Sequence, residues 1–143
     1  MFLSELTDRG PTPALVHTIT FTQARLKTIA ENIANWQTPG YRAKQLDARA
    51  FQASLCDAIE QRGSRGSGPM MLNGKEVRSA RDGSLTVTPR EKPLENVLFH
   101  DGTNLSIERE MAELAETGMA HELATSLLRR RFEGLTKAIR GTA

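Results

Sequence analysis

Two stretches of this sequence contain residue types that perform chemistry in other proteins. The segment that begins at His121 is half of a zinc-protease helix, but Thr125 stands where the second histidine is required, so no zinc site closes. The glycines of residues 63–69 suggest a phosphate-binding loop, yet no Gly-Lys-Ser/Thr follows them and no strand is predicted before them. No recognisable nucleophile–base motif accompanies the three scattered histidines. We therefore predict no catalytic residue, no cofactor and no metal, and we interpret His121 as a helix-packing residue.

A long amphipathic helix is predicted near the start of the chain, over residues 12–35. Thr12 is expected to cap it, with Pro13 in the first turn. Apolar or near-apolar side chains recur at alternating steps of four and three, which is typical of a helix that packs lengthwise on another helix. These predicted seam residues are Leu15, Ile19, Thr22, Leu26, Ile29, Ile33 and Trp36.

A sharp turn is predicted directly after this helix. Pro39 cannot donate a backbone hydrogen bond and disfavours helical geometry at Thr38, so the helix must end before it. Pro39-Gly40 suits the central positions of a type II turn, because glycine accepts a positive φ there. Asn35 is expected to cap the helix in a left-handed conformation.

The middle of the chain gives weaker signals. Asp47 is expected to cap a short helix over residues 47–62, and a flexible linker is predicted for residues 63–69. A short strand is predicted near residues 85–88. Basic residues outnumber acidic ones over 62–92, which we interpret as a solvated loop; the alternative is contact with an anionic surface such as cell wall or an acidic partner.

A second long helix is predicted over residues 106–143, with Ser106 as its N-cap. Acidic residues crowd its start and basic residues its end, which matches the helix dipole and favours a head-to-tail order between subunits. Small and polar groups interrupt its seam, and we interpret them as places where more than two helices meet. The predicted seam residues are Ile107, Met111, Leu114, Gly118, His121, Thr125, Leu128, Phe132, Leu135 and Ile139.

Composition and charge bound the fold. A hydrophobic fraction of 38% and an aromatic fraction of 5% are low for a compact core, so much apolar surface is expected to be buried against partner chains. The net charge of +2 is too small to imply nucleic-acid binding by itself. Cys56 has no disulfide partner and is expected to be a buried or half-buried thiol. Residues 1–10 are expected to be poorly ordered; they lack the apolar core of a signal peptide, and no stretch reaches membrane-spanning length.

The predicted fold class is therefore mainly α. Long N- and C-terminal helices, in residues 1–41 and 106–143, are predicted to pair as a coiled coil. Residues 42–105 are predicted to form a middle segment that contains a short helix and is otherwise irregular, partly β or disordered.

The residues around the turn resemble the N-terminal signature of the bacterial flagellar axial proteins, the rod and hook group. The likeness is carried by Asn32, Ile33, Ala34 and Asn35, and then by Thr38, Pro39, Gly40 and Tyr41. Residues 101–105 and 110–116 resemble the C-terminal pattern of the proximal rod proteins in that family, and the length also fits. The distal rod and hook proteins are longer, with inserted β-rich domains for which this chain has no room.

This resemblance implies a structural subunit without enzymatic activity, part of the periplasmic rod of the flagellar basal body that transmits torque. It implies export by the flagellar type III apparatus without a cleaved signal. The implied partners are other copies of the chain, the sister rod protein FlgC, the distal rod proteins, the adaptor FliE and the membrane ring. A small-molecule substrate and nucleic acid are not among them.

Three alternatives remain open from the sequence. The chain resembles the sister rod protein FlgC in size, although the C-terminal helix of FlgC has a different sequence pattern. The basic run at residues 129–131 suggests nucleic-acid binding, but Phe132 belongs to the predicted seam and the acidic half of the same helix would repel DNA. A coiled-coil adaptor with no flagellar link is the third alternative.

Overall fold

The computed structural model describes residues 10–65, 69–93 and 107–141. Helices and short strands within these residues are α1 (Thr12–Ala34), β1 (Lys44–Gln45), α2 (Ala48–Arg65), β2 (Val77–Ser79), β3 (Leu85–Val87), β4 (Arg90–Glu91) and α3 (Ile107–Arg140). The predicted fold class is confirmed, with long first and last helices, a shorter middle helix and a small strand-containing segment between. Two predictions, the poor order of residues 1–9 and the cap at Ser106, lie outside the described residues.

Helix α1 begins and ends differently from the prediction. Pro11, rather than Thr12, is the N-cap, because Leu15 N donates to Pro11 O at 3.0 Å and already places Thr12 inside the first turn. Thr12 therefore makes no side-chain cap hydrogen bond. At the other end Asn35 is not left-handed, with φ at −106°. Its side-chain amide donates to Glu31 O at 2.8 Å, so it extends the helical turn instead of reversing the chain.

The reversal takes place at the predicted turn. Tyr41 N donates to Thr38 O at 3.1 Å, and Gly40 has a φ of 75°. A positive φ at the third position of a hydrogen-bonded four-residue turn is what a type II turn requires, and glycine adopts it at little cost.

Helix α2 is capped as predicted. Asp47 Oδ1 accepts hydrogen bonds from Arg49 N at 2.9 Å and Ala50 N at 3.1 Å. The helix continues to Arg65, beyond its predicted end at residue 62, so the first residues of the predicted 63–69 linker are helical. Residues 66–68 lie outside the described part of the chain. Cys56 lies on α2 and is exposed, so the prediction of a buried or half-buried thiol is wrong: it falls on the face of α2 that turns away from the core.

The core lies between α1, α2 and a small hairpin. In the hairpin β2 and β3 pair antiparallel, with Val77 opposite Val87. The hairpin strand β3 coincides with the strand predicted near residues 85–88. The rings of Phe21 and Phe51 stack with centroids 4.0 Å apart and join α1 to α2. The buried core residues are Phe21, Leu46, Phe51, Ala58, Met70, Leu72 and Val77.

Helices α1 and α3 pack antiparallel along their lengths. Thr22 Oγ1 lies 2.9 Å from His121 Nδ1, Arg25 Nη2 donates to Glu113 Oε2 at 3.2 Å, and Asn32 bonds to Glu110. As the residue number rises along α1, the number of its partner falls along α3. None of the helices in the described ranges combines the length and apolar character needed to cross a membrane.

Candidate functional site

The face of α3 that packs on α1 contains half of the predicted seam. Five predicted residues spaced by seven are half-buried there: Ile107, Leu114, His121, Leu128 and Leu135. The residues between them differ from the prediction, because the buried ones are Glu110, Thr117 and Ala124 rather than Met111, Gly118 and Thr125. The steps from Ile107 therefore run three then four, not four then three. A pattern based on apolar side chains misses this face because its buried positions hold a glutamate, a threonine and an alanine.

Four predicted seam residues of α3 are exposed in the described part of the chain: Met111, Thr125, Phe132 and Ile139. Met111 is 51% exposed because it falls one residue away from the packed face. Phe132 and Ile139 are 42% and 76% exposed; they stand on either side of Leu135, in the part of α3 that follows Arg131 and extends past the start of α1. These assignments are wrong for contacts within one chain.

The α1 side of the seam agrees better with the prediction. Ile29 is buried, and four others are half-buried: Leu15, Ile19, Leu26 and Ile33. Trp36 is 43% exposed, because α1 ends at Ala34 and the following turn carries the indole away from α3. It therefore does not pack in the α1–α3 seam within the chain, and its place in an assembly seam stays a prediction.

A buried polar network joins the C-terminal end of α1 to the N-terminal end of α3. At its centre Asn32 Nδ2 donates to Lys44 O at 2.7 Å and to Glu110 Oε2 at 3.0 Å. Asn32 Oδ1 accepts from Lys44 N at 3.0 Å and from Tyr41 Oη at 3.1 Å. The amide thus uses both of its donors and both acceptor positions, so no polar capacity is left unsatisfied.

Glu110 completes this network. Its Oε1 accepts a hydrogen bond from Lys92 Nζ at 2.8 Å, and the Glu110 side chain is only 2% exposed. Lys92 N also donates to Ala43 O at 2.7 Å, which ties the end of β4 to the loop before β1. We call the four side chains Asn32, Tyr41, Lys92 and Glu110 the latch, because together they join α1, the turn, the middle segment and α3.

The surroundings of the latch favour the protonated form of the Tyr41 phenol. Burial, and then the negative charges of Glu31 and Glu110, raise the pKa of Tyr41. The phenol is therefore protonated at neutral pH and can donate to Asn32. The sequence singled out Asn32 and Tyr41 as part of the turn signature, but it gave no signal for Lys92 and identified Glu110 only as a charge in the first turn of α3.

The other residues of the signature do not enter the latch. Asn35 is half-buried, while Ala34, Thr38, Pro39 and Gly40 are exposed. Their role in the structure is to end α1 and to bring Tyr41 back towards Asn32.

At the opposite end of the α1–α3 pair, which we call the open end, α3 extends past the first residues of α1. An added Cβ on Gly10 would lie 3.1 Å from Arg131 Nη2, so α3 passes the start of α1 at about this level. Residues 132–140, which we call the overhang, project beyond it by about 13 Å at about 1.5 Å per residue. Beside the start of α1 lies a cleft of about 520 Å³, lined in part by Thr12, Val16, His17, Met70 and Phe132.

Two buried polar atoms at this open end lack hydrogen-bond partners among the described residues. They are Thr12 Oγ1 and His17 Nδ1, on side chains that are 4% and 3% exposed. Burial lowers the pKa of His17, against the smaller opposing effect of a backbone hydrogen bond with Met70. A neutral imidazole is therefore favoured in the folded state.

A third feature is a line of exposed residues on the side of α3 that faces away from α1. Leu123 follows His121 by two residues, which turns it about 200° around the helix. Met119, Leu123 and Leu127 are 66%, 61% and 42% exposed. We call the following residues the outer stripe: Ala112, Glu116, Met119, Leu123, Leu127, Arg130 and Gly134. Within the described ranges, no three His, Cys, Asp or Glu side chains are grouped as metal ligands would be.

Comparison with known proteins gives a consistent result. A family model described as "Flagella basal body rod protein" matches residues 18–42, which hold the second half of α1 and the turn. The flagellar basal body rod protein FlgB of Cereibacter sphaeroides (strain ATCC 17029 / ATH 2.4.9) is 31% identical over 126 residues, 83% of this chain and 85% of that protein. FlgB of Borrelia hermsii is 29% identical over 118 residues, 81% and 85% of the two chains. FlgB of Escherichia coli K12 is 25% identical over 117 residues, 80% and 82%.

Proposed function

The chain belongs to the FlgB family of flagellar basal body rod proteins, and from that premise we propose that it assembles into the rod through the open end of its α1–α3 pair. Its role is structural, it is a component of the flagellar basal body, and it associates with other rod or basal-body components. The proposal adds which surface makes the subunit contacts and what those contacts do.

The proposal rests on the exposure of apolar side chains on the overhang. Phe132 and Ile139 lie seven residues apart on one side of α3, yet both are exposed. Leu135 lies between them on the same side and is half-buried. An apolar helix face that continues past its partner inside the chain is suited to receive a helix from another subunit.

The contact would be heterologous, because the overhang of one subunit meets a different surface of the next. Contacts of this kind generate open helical assemblies rather than closed pairs. The proposed partners are other copies of the chain, FlgC, the distal rod proteins, the adaptor FliE and the membrane ring. Neither a small molecule nor nucleic acid is required.

Torque transmission follows from the same arrangement. Residues 1–41 and 106–143 would form the axial layer of the rod, and residues 42–105 would extend from it. Long helices that are packed side by side resist bending and twisting because each seam residue is held between neighbours. The chain would reach the periplasmic rod through the flagellar type III export apparatus, without a cleaved signal.

The experiment compares two neighbouring substitutions in the overhang. Ile139→Asp places a charge on the proposed contact, whereas Lys137→Glu makes a larger charge change about 200° around the helix, at an exposed position. In a strain that lacks the wild-type chain, Ile139→Asp and Phe132→Asp should abolish rods and swimming while the subunit is still exported. Lys137→Glu should support both. Rods of normal yield with Ile139→Asp would rule out the overhang as the contact.

A further inference from the structure

The outer stripe is symmetric in both its spacing and its chemistry. From Ala112 to Gly134 the steps between its residues are four, three, four, four, three and four, which read the same in either direction from Leu123. The residue types mirror as well. Small residues stand at the ends, an acid and a base come next, and apolar residues surround the centre.

This symmetry matches a second copy of α3 lying antiparallel across the stripe. With Leu123 opposite its own counterpart, Met119 faces Leu127 and Glu116 faces Arg130. The pairing brings three exposed apolar side chains of each copy together and flanks them with two ion pairs. Ala112 and Gly134 face each other at the ends, where small side chains allow close approach of the two helices.

The charges distinguish this arrangement from a parallel one. A parallel pair in register would place Glu116 against Glu116 and Arg130 against Arg130, and both contacts are repulsive. Neither residue forms an ion pair with any residue that the structure describes. Both charges are thus available to another chain.

We infer that two copies of this chain form an antiparallel dimer through the outer stripe, about a two-fold axis at Leu123. The stripe faces away from α1 and shares only Gly134 with the overhang, at its end, so the dimer does not depend on the proposed mode of assembly. In one respect it rests on the proposed function: a two-fold pair cannot be extended in a polar rod. The dimer is therefore the form of the free subunit, and it must separate before the subunit joins the rod.

Cysteine cross-linking tests the axis. In a Cys56→Ser background, which removes the exposed native thiol, Leu123→Cys should form a disulfide-linked dimer under mild oxidation. Met119→Cys and Leu127→Cys should each form no disulfide-linked dimer alone, since like positions would lie about 12 Å apart along the axis at about 1.5 Å per residue. A mixture of the two should cross-link. Self-linking at all three positions, or at none, would overturn the inference.

Charge reversal tests the orientation with the chain otherwise unchanged. Arg130→Glu should weaken dimerisation by about tenfold, because two ion pairs become two repulsive contacts. Adding Glu116→Arg to the same chain should restore the wild-type dissociation constant, measured by sedimentation equilibrium. A double variant that dimerises no better than the single one, or a wild-type chain that stays monomeric at every concentration, contradicts the dimer. Neither result bears on rod assembly through the overhang, because that proposal is tested separately by the yield of rods in the Ile139→Asp strain.

Discussion

The two ends of the α1–α3 pair differ in how fully their side chains are satisfied. At the latch, Asn32 and Glu110 are each 1% exposed and their side chains are hydrogen-bonded to several elements of the same chain. At the open end, Thr12 Oγ1 and His17 Nδ1 are buried without partners in the described residues, while Ile139 on the overhang is 76% exposed.

This difference distinguishes the contacts that stabilise the fold from the surface that we propose for contacts with other chains. Buried polar groups that are fully paired fix one geometry, because any displacement leaves a donor, acceptor or charge unsatisfied. An apolar helix face without a partner has no such constraint until another helix covers it. The latch therefore stabilises the monomer, and we propose that the open end serves assembly.

The largest expected loss of stability comes from breaking the latch at Glu110. Glu110→Ala removes the carboxylate that pairs with the Lys92 ammonium, whose side chain is 14% exposed, and also removes an acceptor from Asn32. Loss of one partner of a buried ion pair costs about 3–5 kcal/mol. Urea denaturation followed by circular dichroism should show that decrease in the free energy of unfolding.

The matched control is an exposed glutamate on the same helix. Glu116→Ala should change the free energy of unfolding by no more than about 0.5 kcal/mol, because surface substitutions rarely do more. Both proteins should be compared at a concentration at which they are monomeric. Equal effects at the two positions would mean that the latch does not hold the helices together.

A smaller loss of stability is expected when Tyr41, at the edge of the latch, is changed. Tyr41→Phe removes one neutral hydrogen bond, the 3.1 Å contact from Tyr41 Oη to Asn32 Oδ1, and leaves the Lys44 N donor in place. The free energy of unfolding should fall by about 1 kcal/mol. A loss as large as that of Glu110→Ala would instead indicate that the whole turn rearranges.

At the open end the expected effect depends on pH. Burial lowers the pKa of His17 below its ordinary value of 6.5, so the unfolded chain takes up a proton before the folded one does. The wild-type free energy of unfolding should therefore fall as the pH drops through 6.5, and the fall should stop below the folded-state pKa. His17→Gln, which does not titrate, should lose less stability over the same range. Parallel curves for the two proteins would show that His17 is not desolvated in the folded state.

The sequence predicted the elements of the fold better than the contacts between them. Local chemistry is strong at Pro39, Gly40 and Asp47, so the turn and the start of α2 could be placed from residue type alone. The face of α3 could not, because its buried positions hold the charged Glu110, the polar Thr117 and the small Ala124. The latch depends on Lys92, which is far from Asn32 in the sequence and near it only after folding.

The smallest effect on the monomer is expected at the overhang, and it is the sharpest test of the comparison between the two ends. Ile139→Ser removes an apolar side chain that is 76% exposed and therefore gives up little buried area on folding. The free energy of unfolding should change by no more than about 0.5 kcal/mol, in contrast to the loss at Glu110. In the rod, however, the same residue is proposed to be covered by a neighbour, so Ile139→Ser should lower the yield of rods although the monomer is intact. A stability loss comparable to that of Glu110→Ala would show that the overhang already packs within its own chain, and the two ends would then not be divided between folding and assembly.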